Sequence, residues 1–483
     1  MKFLNWMFAS AVALSFAACS NNEGIEEGAN GNGVQQEEGT TYAALSLNFN
    51  NQTSRANTPG EYDQNGTDEE NKVQKVRLIV VNAANEVEYN DEPDLAAVAS
   101  PWKKQAFTIK LTPGQKKFYA VLNEDIEFNG TTADDLKTYL TETVSSDVNA
   151  VARGNYFMMT SVDEVVAYLQ NNVTASEAQA GKNNVSILVD RVAAKVQVQV
   201  SENVQFVNDD YVKAGNNFMF ALGNSNLMST SGYSGKNGYF RMQQHNVDNT
   251  AWTTPYTDFE PVSDAVHTTP ADDEYGYCDD VKYCLENVHS YGTDAATSKY
   301  KQGNTTYAAI RIPVIVKKKA NLSYIDGVLT VGEALDRAED TAVPFFFVKA
   351  AQAPYQALVG QYIMSSDLEA LGVAMAGLSD GAASETKKKN AIAALAELGI
   401  TLSEEYSDGR AYFKAWINPD YSGYSSPVFR NNWYKLTINS VTFPGDPNKP
   451  SISVSDPLKV ENNAQITVSI RNWNLVENNI DLE

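Results

Sequence analysis

Short alternating runs of apolar and polar residues recur along the whole chain, and helical spacing is the exception. Leu45, Leu47 and Phe49 alternate with Ser46 and Asn48, the period-2 pattern of a half-buried strand. Runs 72–82, 116–123, 184–200, 306–318, 411–417 and 433–443 continue the pattern, as does 464–476 near the end. They are rich in Val, Ile, Tyr and Trp and bounded by Asn, Gly, Asp and Pro, as strands are. Three segments read as helices. Residues 132–144 and 161–172 each open with Thr or Ser followed by acidic residues, the composition of a helix N-terminus. Residues 384–400 form an amphipathic run with Gly399 placed to end it. Many strands and few helices predict an all-β protein of antiparallel sheets packed as sandwiches rather than a parallel βαβ fold. Looser polar sequence after Val200 places a domain boundary there, giving an N-terminal β-sandwich over 41–200 and a C-terminal one over 201–483.

The alternation runs to the last residues. Ile466, Val468 and Ile470 share one face, Trp473 and Leu475 resume after a one-residue shift, and Ile480 and Leu482 keep the period. Chain ends are usually loose and polar. A strand here needs its apolar face covered, either by its own sheet or by a neighbour's, since sheet edges recruit partner strands.

Composition narrows the field. Hydrophobic residues make up 43% of the 483 positions, enough for a core, and 60 acidic against 37 basic side chains give a net charge of −23. That field repels phosphates, so nucleic acid is not an expected partner. The first residues hold one basic residue, Lys2, then an apolar run from Phe8 to Phe16, then Ala17, Ala18 and Cys19. This is a secretory signal over 1–18, too short to span a bilayer stably. A cysteine straight after two alanines suggests lipidation at Cys19, with polar residues 19–40 as a tether to the outer membrane.

Catalytic chemistry finds little support. His245, His267 and His289 lie in polar, loop-like sequence without metal-binding spacing and are expected at the surface. There is no GxSxG elbow and no phosphate-binding glycine loop. The acidic run 272–280 lacks the ligand spacing of a defined calcium loop. No catalytic residue, cofactor or metal is expected. Cys278 and Cys284 are close in sequence in an exported chain and are expected to pair as a disulfide, or else to be a reduced structural pair.

The residues together carry a family resemblance. Cys19 after its signal, 72–81, 119–126 and 157–161, the junction strand 189–196, and the segments 300–314, 412–420, 426–441 and 466–483 occur in an order and spacing that resembles the fimbrillins of Bacteroidales. Among these the chain is similar to the major subunit of the short (minor) fimbriae. The resemblance implies two transthyretin-like β-sandwich domains and export as a lipoprotein. It implies cleavage by an arginine-specific protease in the loop after the first strand (about 42–50). In this sequence that bond is Arg55–Ala56, a lone basic residue in a soft Asn/Thr/Pro/Gly loop. Loss of the strand bearing Leu45, Leu47 and Phe49 would open a groove, refilled by a neighbour's terminal strand (about 464–483) through Ile466, Val468, Ile470, Trp473 and Leu475. Burial of the three displaced apolar residues is worth roughly 5–8 kcal/mol as an upper estimate. The expected partners are further copies of the chain in a head-to-tail polymer, accessory subunits and the maturation protease. Two rival expectations are a tip or accessory subunit, and a surface lipoprotein that binds glycan or host protein through loop tyrosines such as those of 418–427 without polymerising.

Overall fold

The computed structural model describes residues 39–49, 67–93, 105–123, 128–136, 148–154, 156–161, 164–207, 210–226, 268–289, 294–419, 424–442, 444–458 and 474–482. They are mostly β-strand with a few short helices.

The N-terminal half is one eight-stranded sheet. Its strands are β1 (Thr41–Phe49), β2 (Val76–Asn82), β3 (Val87–Asp91), β4 (Gln105–Leu111), β5 (Gly114–Leu122), β8 (Met159–Ser161), β9 (Val165–Leu169) and β10 (Asn184–Arg191), with two-residue strands β6 (Ala152–Arg153) and β7 (Tyr156–Phe157) alongside. The order is β3-β2-β5-β8-β10-β1-β4, with β9 also on β5. Inward-facing residues of these strands, among them Leu45, Leu47, Leu78, Val80, Phe118, Ala120 and Ile187, share one core. Short helices accompany the sheet, among them α1 (Asp68–Asn71), α2 (Val148–Val151) and α3 (Ala175–Gln179). In α1 and α3 a Thr side chain and a Glu three residues on satisfy each other's end amides as capping boxes.

The C-terminal half has two main sheets. One runs β15-β11-β23-β24, from β11 (Ala193–Val207), β15 (Val281–Leu285), β23 (Asn432–Thr442) and β24 (Asn474–Leu482). The other runs β12-β16-β13-β14 with β22 on β16, from β12 (Val212–Ala214), β13 (Met219–Gly223), β14 (Gly276–Tyr277), β16 (Tyr307–Val316) and β22 (Arg410–Trp416). Val196, Val198, Leu436 and Ile438 of the first sheet and Phe220, Ile310, Ile312 and Phe413 of the second meet in a common core.

Between the adjacent strands β16 and β22 lies an insert. It contains the hairpin β17 (Lys318–Ile325)–β18 (Val328–Asp336), strands β19 (Phe345–Ala351), β20 (Tyr362–Met364) and β21 (Ile400–Leu402), and helices α4 (Ser365–Ala376) and α5 (Ser384–Glu397). Asp326 and Gly327, both at positive φ, make the two-residue turn of the hairpin, which mirror-image turn geometry requires. Leu329, Val348, Leu368, Leu371, Ala391 and Leu395 give the insert a core of its own.

Helix α5 and its stop at Gly399 (φ +76) fall where the sequence predicts them. The helix expected over 161–172 does not form; residues 165–169 are strand β9, paired antiparallel with Phe118 to Gly114. Exposed Val166 and Tyr168 alternate with less exposed neighbours, so β-branching and period 2 outweigh the acidic opening. The segment 132–144 is helical over 133–136, and 137–144 lie outside the described residues. The sheets are also not purely antiparallel: β1–β10, β11–β23 and β23–β24 are parallel pairs.

Candidate functional site

Strand β1 lies between two strands that, among the described residues, do not pair with each other. It runs parallel to β10, from Ala44 opposite Asn184 to Phe49 opposite Val189, and antiparallel to β4, from Thr41 opposite Leu111 to Leu47 opposite Gln105. Among the described residues β4 joins the sheet through β1 alone. Ala43, Leu45 and Leu47 are 0–1% exposed and fill the core face, so the expected strand is present and its central leucines are fully buried. Taking β1 away would leave two facing strand edges and an apolar slot between them, each unpaired backbone group costing about what a lost hydrogen bond costs.

The two ends of β1 are held differently. At its start, Asn183 Nδ2 donates to Thr41 Oγ1 (3.0 Å), the Tyr42 carbonyl (3.1 Å) and the Gln170 carbonyl (3.1 Å), while Thr41 Oγ1 donates to the Gln170 carbonyl at 2.6 Å. The Val173 amide donates to Thr41 Oγ1, and the Tyr42 amide to the Val173 carbonyl. At its far end, among the described residues, Asn48 and Phe49 pair with β10 alone. Beyond them, residues 50–66, including Arg55 and Ala56, lie outside the described residues, as does Cys19.

The chain resumes at Thr67 in α1, which is fixed by a buried polar cluster. Glu70 is 2% exposed, its Oε1 2.9 Å from Lys195 Nζ and 2.6 Å from the Tyr283 hydroxyl that donates to it. Arg191 Nε donates to the Glu70 carbonyl and its Nη1 to Asn431 Oδ1, both at 2.9 Å. Burial acts to raise the Glu70 carboxyl, but the Lys195 charge and hydrogen bonds from Tyr283, Lys195 and Thr67 together hold it below its ordinary value. Burial depresses Lys195 more than Glu70 supports it, and lowers Arg191 to about 10. Lys195 also lies 4.1 Å from the Trp433 ring centroid. Residues before β2, on β11 and β15, and ahead of β23 thus meet in one buried knot.

Arg77, the next arginine after Arg55, lies within β2, flanked by β5 and β3, with its guanidinium on Asn90 (3.0 Å) and Glu92 (2.5 Å). A protease needs an extended, unpaired segment, and Arg77 does not offer one.

At the other end of the chain, β24 is an edge strand, parallel to β23 from Asn474 opposite Asn432 to Leu482 opposite Val441. Leu475 lies on it opposite Trp433; Ile466, Val468, Ile470 and Trp473 lie outside the described residues.

Two expectations are corrected. Cys278 and Cys284 are free thiols rather than a disulfide. Cys284 faces the core from β15, while Cys278 packs on that core from the turn after β14. Burial pushes both thiols up to about 12, so neither is a thiolate near neutral pH. His289 is not at the surface but 3% exposed, its Nε2 3.1 Å from the Asn304 carbonyl and its ring edge-on to Tyr300. His245 and His267 lie outside the described residues. In the acidic run, Asp272 is 3.6 Å from Arg311 and 3.2 Å from Lys449, its carboxylate engaged with cations of the protein itself.

The Asn183 clamp was not anticipated from the sequence. Its only local signal is the Asn183–Asn184 pair in a polar stretch, and Asn183 sits at φ +48, a conformation asparagine tolerates better than most residues.

Comparison with known proteins gives two family matches. Residues 43–198 match "Major fimbrial subunit protein (FimA)", and residues 404–479 match "Major fimbrial subunit protein type IV, Fimbrillin, C-terminal". Both are families of structural subunits, not enzymes. Among solved structures, the chain is similar to a fimbrilin (FimA) of Porphyromonas gingivalis W83, with 13% identity, 91% of this chain and 97% of that one covered, and a TM-score of 0.35. It is also similar to a putative cell adhesion protein of Bacteroides eggerthii, with 12% identity, coverage of 92% and 100%, and a TM-score of 0.36. A third is the tip fimbrial protein Mfa3 of P. gingivalis with C-terminal truncation, with 14% identity, coverage of 64% and 94%, and a TM-score of 0.29.

Proposed function

We propose how this chain, a fimbrillin by the two family regions it carries and so a structural subunit of cell-surface fimbriae, is matured and assembled. It is exported as a lipoprotein through Cys19 and anchored to the outer membrane. An arginine-specific protease cuts between Arg55 and Ala56, β1 leaves, and the terminal strand of a second copy enters between β10 and β4. Two transthyretin-like domains meeting near residue 200 carry the two halves of this exchange: a groove in the first and a donor strand over about 464–483 in the second.

The observation that carries the reading is the place of β1. It is a buried strand on which an edge strand depends, immediately upstream of the segment with the cleavable arginine. While it remains, the slot is full and the subunit stays monomeric. Once it is gone, apolar burial and two ladders of backbone hydrogen bonds favour any strand that fits. Edge position supports β24 and the residues before it as the donor, since one ladder must break for it to leave rather than two. A donated strand makes a heterologous contact that does not close on itself, so the product is a filament. Accessory subunits would join through the same groove or the same strand.

Limited trypsin digestion of the chain lacking residues 1–19, with N-terminal sequencing and light scattering, tests this. Cleavage at Arg55 followed by filaments is expected, with Arg55→Ala and a truncation after Asn463 both staying monomeric. Cleavage without assembly would assign the chain to a tip or accessory position, or to a surface binder that does not polymerise.

A further inference from the structure

β1 carries a defect in its own packing. Ser46 lies between the buried Leu45 and Leu47, is only 2% exposed, and its hydroxyl is buried with no hydrogen-bond partner. Every other described feature of β1 favours retention: a full core face, two ladders and the Thr41–Asn183 clamp. A buried hydroxyl that has given up water without finding a partner acts against retention, because it is satisfied again as soon as the strand leaves.

The position of the defect matters as much as its presence. The clamp is at Thr41, the end away from Arg55, whereas Ser46 is in the half next to it. Cleavage frees the Phe49 end while the clamp still holds Thr41, so a cut strand would peel from Phe49 towards Thr41. Ser46 is then among the first positions to open, ahead of the clamp.

We propose that Ser46 is a specificity-determining residue of the groove: its unpaired hydroxyl weakens the resident strand so that a strand from a second copy, placing an aliphatic residue opposite Ala106 and Ser186, displaces it. The proposal rests on the strand-exchange reading above. The groove discriminates between strands at this one register position. Before cleavage, covalent continuity keeps the imperfect strand in place; after cleavage, the imperfection sets how fast it yields.

The test uses the chain lacking residues 1–19, cut at Arg55, in wild-type, Ser46→Ala and Leu47→Ala forms. Two rates are measured by gel filtration and mass spectrometry: spontaneous loss of the cleaved β1 fragment, and its loss with a synthetic peptide of residues 464–483 added. Alanine removes the hydroxyl with almost no change of volume, so spontaneous loss from Ser46→Ala should slow about tenfold, the equivalent of one buried unsatisfied group. Leu47→Ala should speed it, showing that the assay senses the strand's packing. Equal or faster loss from Ser46→Ala than from wild type would overturn the role of Ser46. Failure of the peptide to accelerate loss from wild type would instead overturn the exchange reading, and the two failures are read from separate rates.

Discussion

At the scale of single residues, the buried knot around Glu70 is the most exacting chemistry in the molecule. Its carboxylate takes the Lys195 ammonium and the Tyr283 hydroxyl in a setting that water does not reach. Glu70→Gln would leave Lys195 buried without a counter-charge and should cost about 3–5 kcal/mol, measured by denaturant unfolding. The pH dependence has a fixed sign. Because the folded carboxyl lies below its ordinary value of 4.5, the stability it contributes is whole above that pH and drains away as pH falls further. Wild type should therefore lose stability below about pH 4.5 more steeply than Glu70→Gln. The cysteines give a second residue-scale prediction. The unfolded, unreduced chain lacking residues 1–19 should titrate two thiols, and the folded chain should react slowly because burial raises both. A chain with no titratable thiol would restore the disulfide.

At the scale of elements, β1 is held by packing along its length and by polar contacts at its start. Leu45→Ala should cost about 2–5 kcal/mol in the uncut chain by leaving a cavity beneath the sheet. Asn183→Ala should remove the clamp and the residue best suited to φ +48 there, loosening the Thr41 end. Amide hydrogen exchange would register it as faster exchange at Tyr42 and Ala44, whose amides donate to the Val173 and Asn183 carbonyls. Much of this element is legible in the sequence: the alternation of Leu45 and Leu47 announces a half-buried strand. Its neighbours are not, because β10 and β4 are specified by residues far along the chain. The misread segment at 161–172 makes the same point. Acidic residues after a serine suit a helix start, but Val165 and Val166 next to β5 make a better strand.

At the scale of the whole molecule, the insert between β16 and β22 falls outside the first family region and almost wholly ahead of the second, yet it is not an appendage. Adjacent residues of β19 point to opposite cores: Phe345 into that of the C-terminal sheets, Phe346 into that of the insert. Phe345 stacks on Tyr406 at 4.5 Å and meets Tyr362 edge-on at 5.5 Å. Insert and sheets should therefore unfold in one transition, and Phe345→Ala should lower stability by about 3–5 kcal/mol across that whole transition. Two resolved transitions in calorimetry would instead make the insert an independent unit.

The sequence by itself determined the secondary structure of most strands and the α5 helix with its Gly399 stop. These follow from side-chain period and backbone preference, which are written in a few neighbouring residues. The tertiary structure decided the rest: that β1 lies parallel to β10 and, among the described residues, is the sole link to β4, that Ser46 is buried unpaired, that His289 is interior, and that Cys278 and Cys284 stay free. Each of these depends on which distant segment comes to lie alongside, and pairing across such separations is settled by the packing of the complete chain rather than by any local stretch of it.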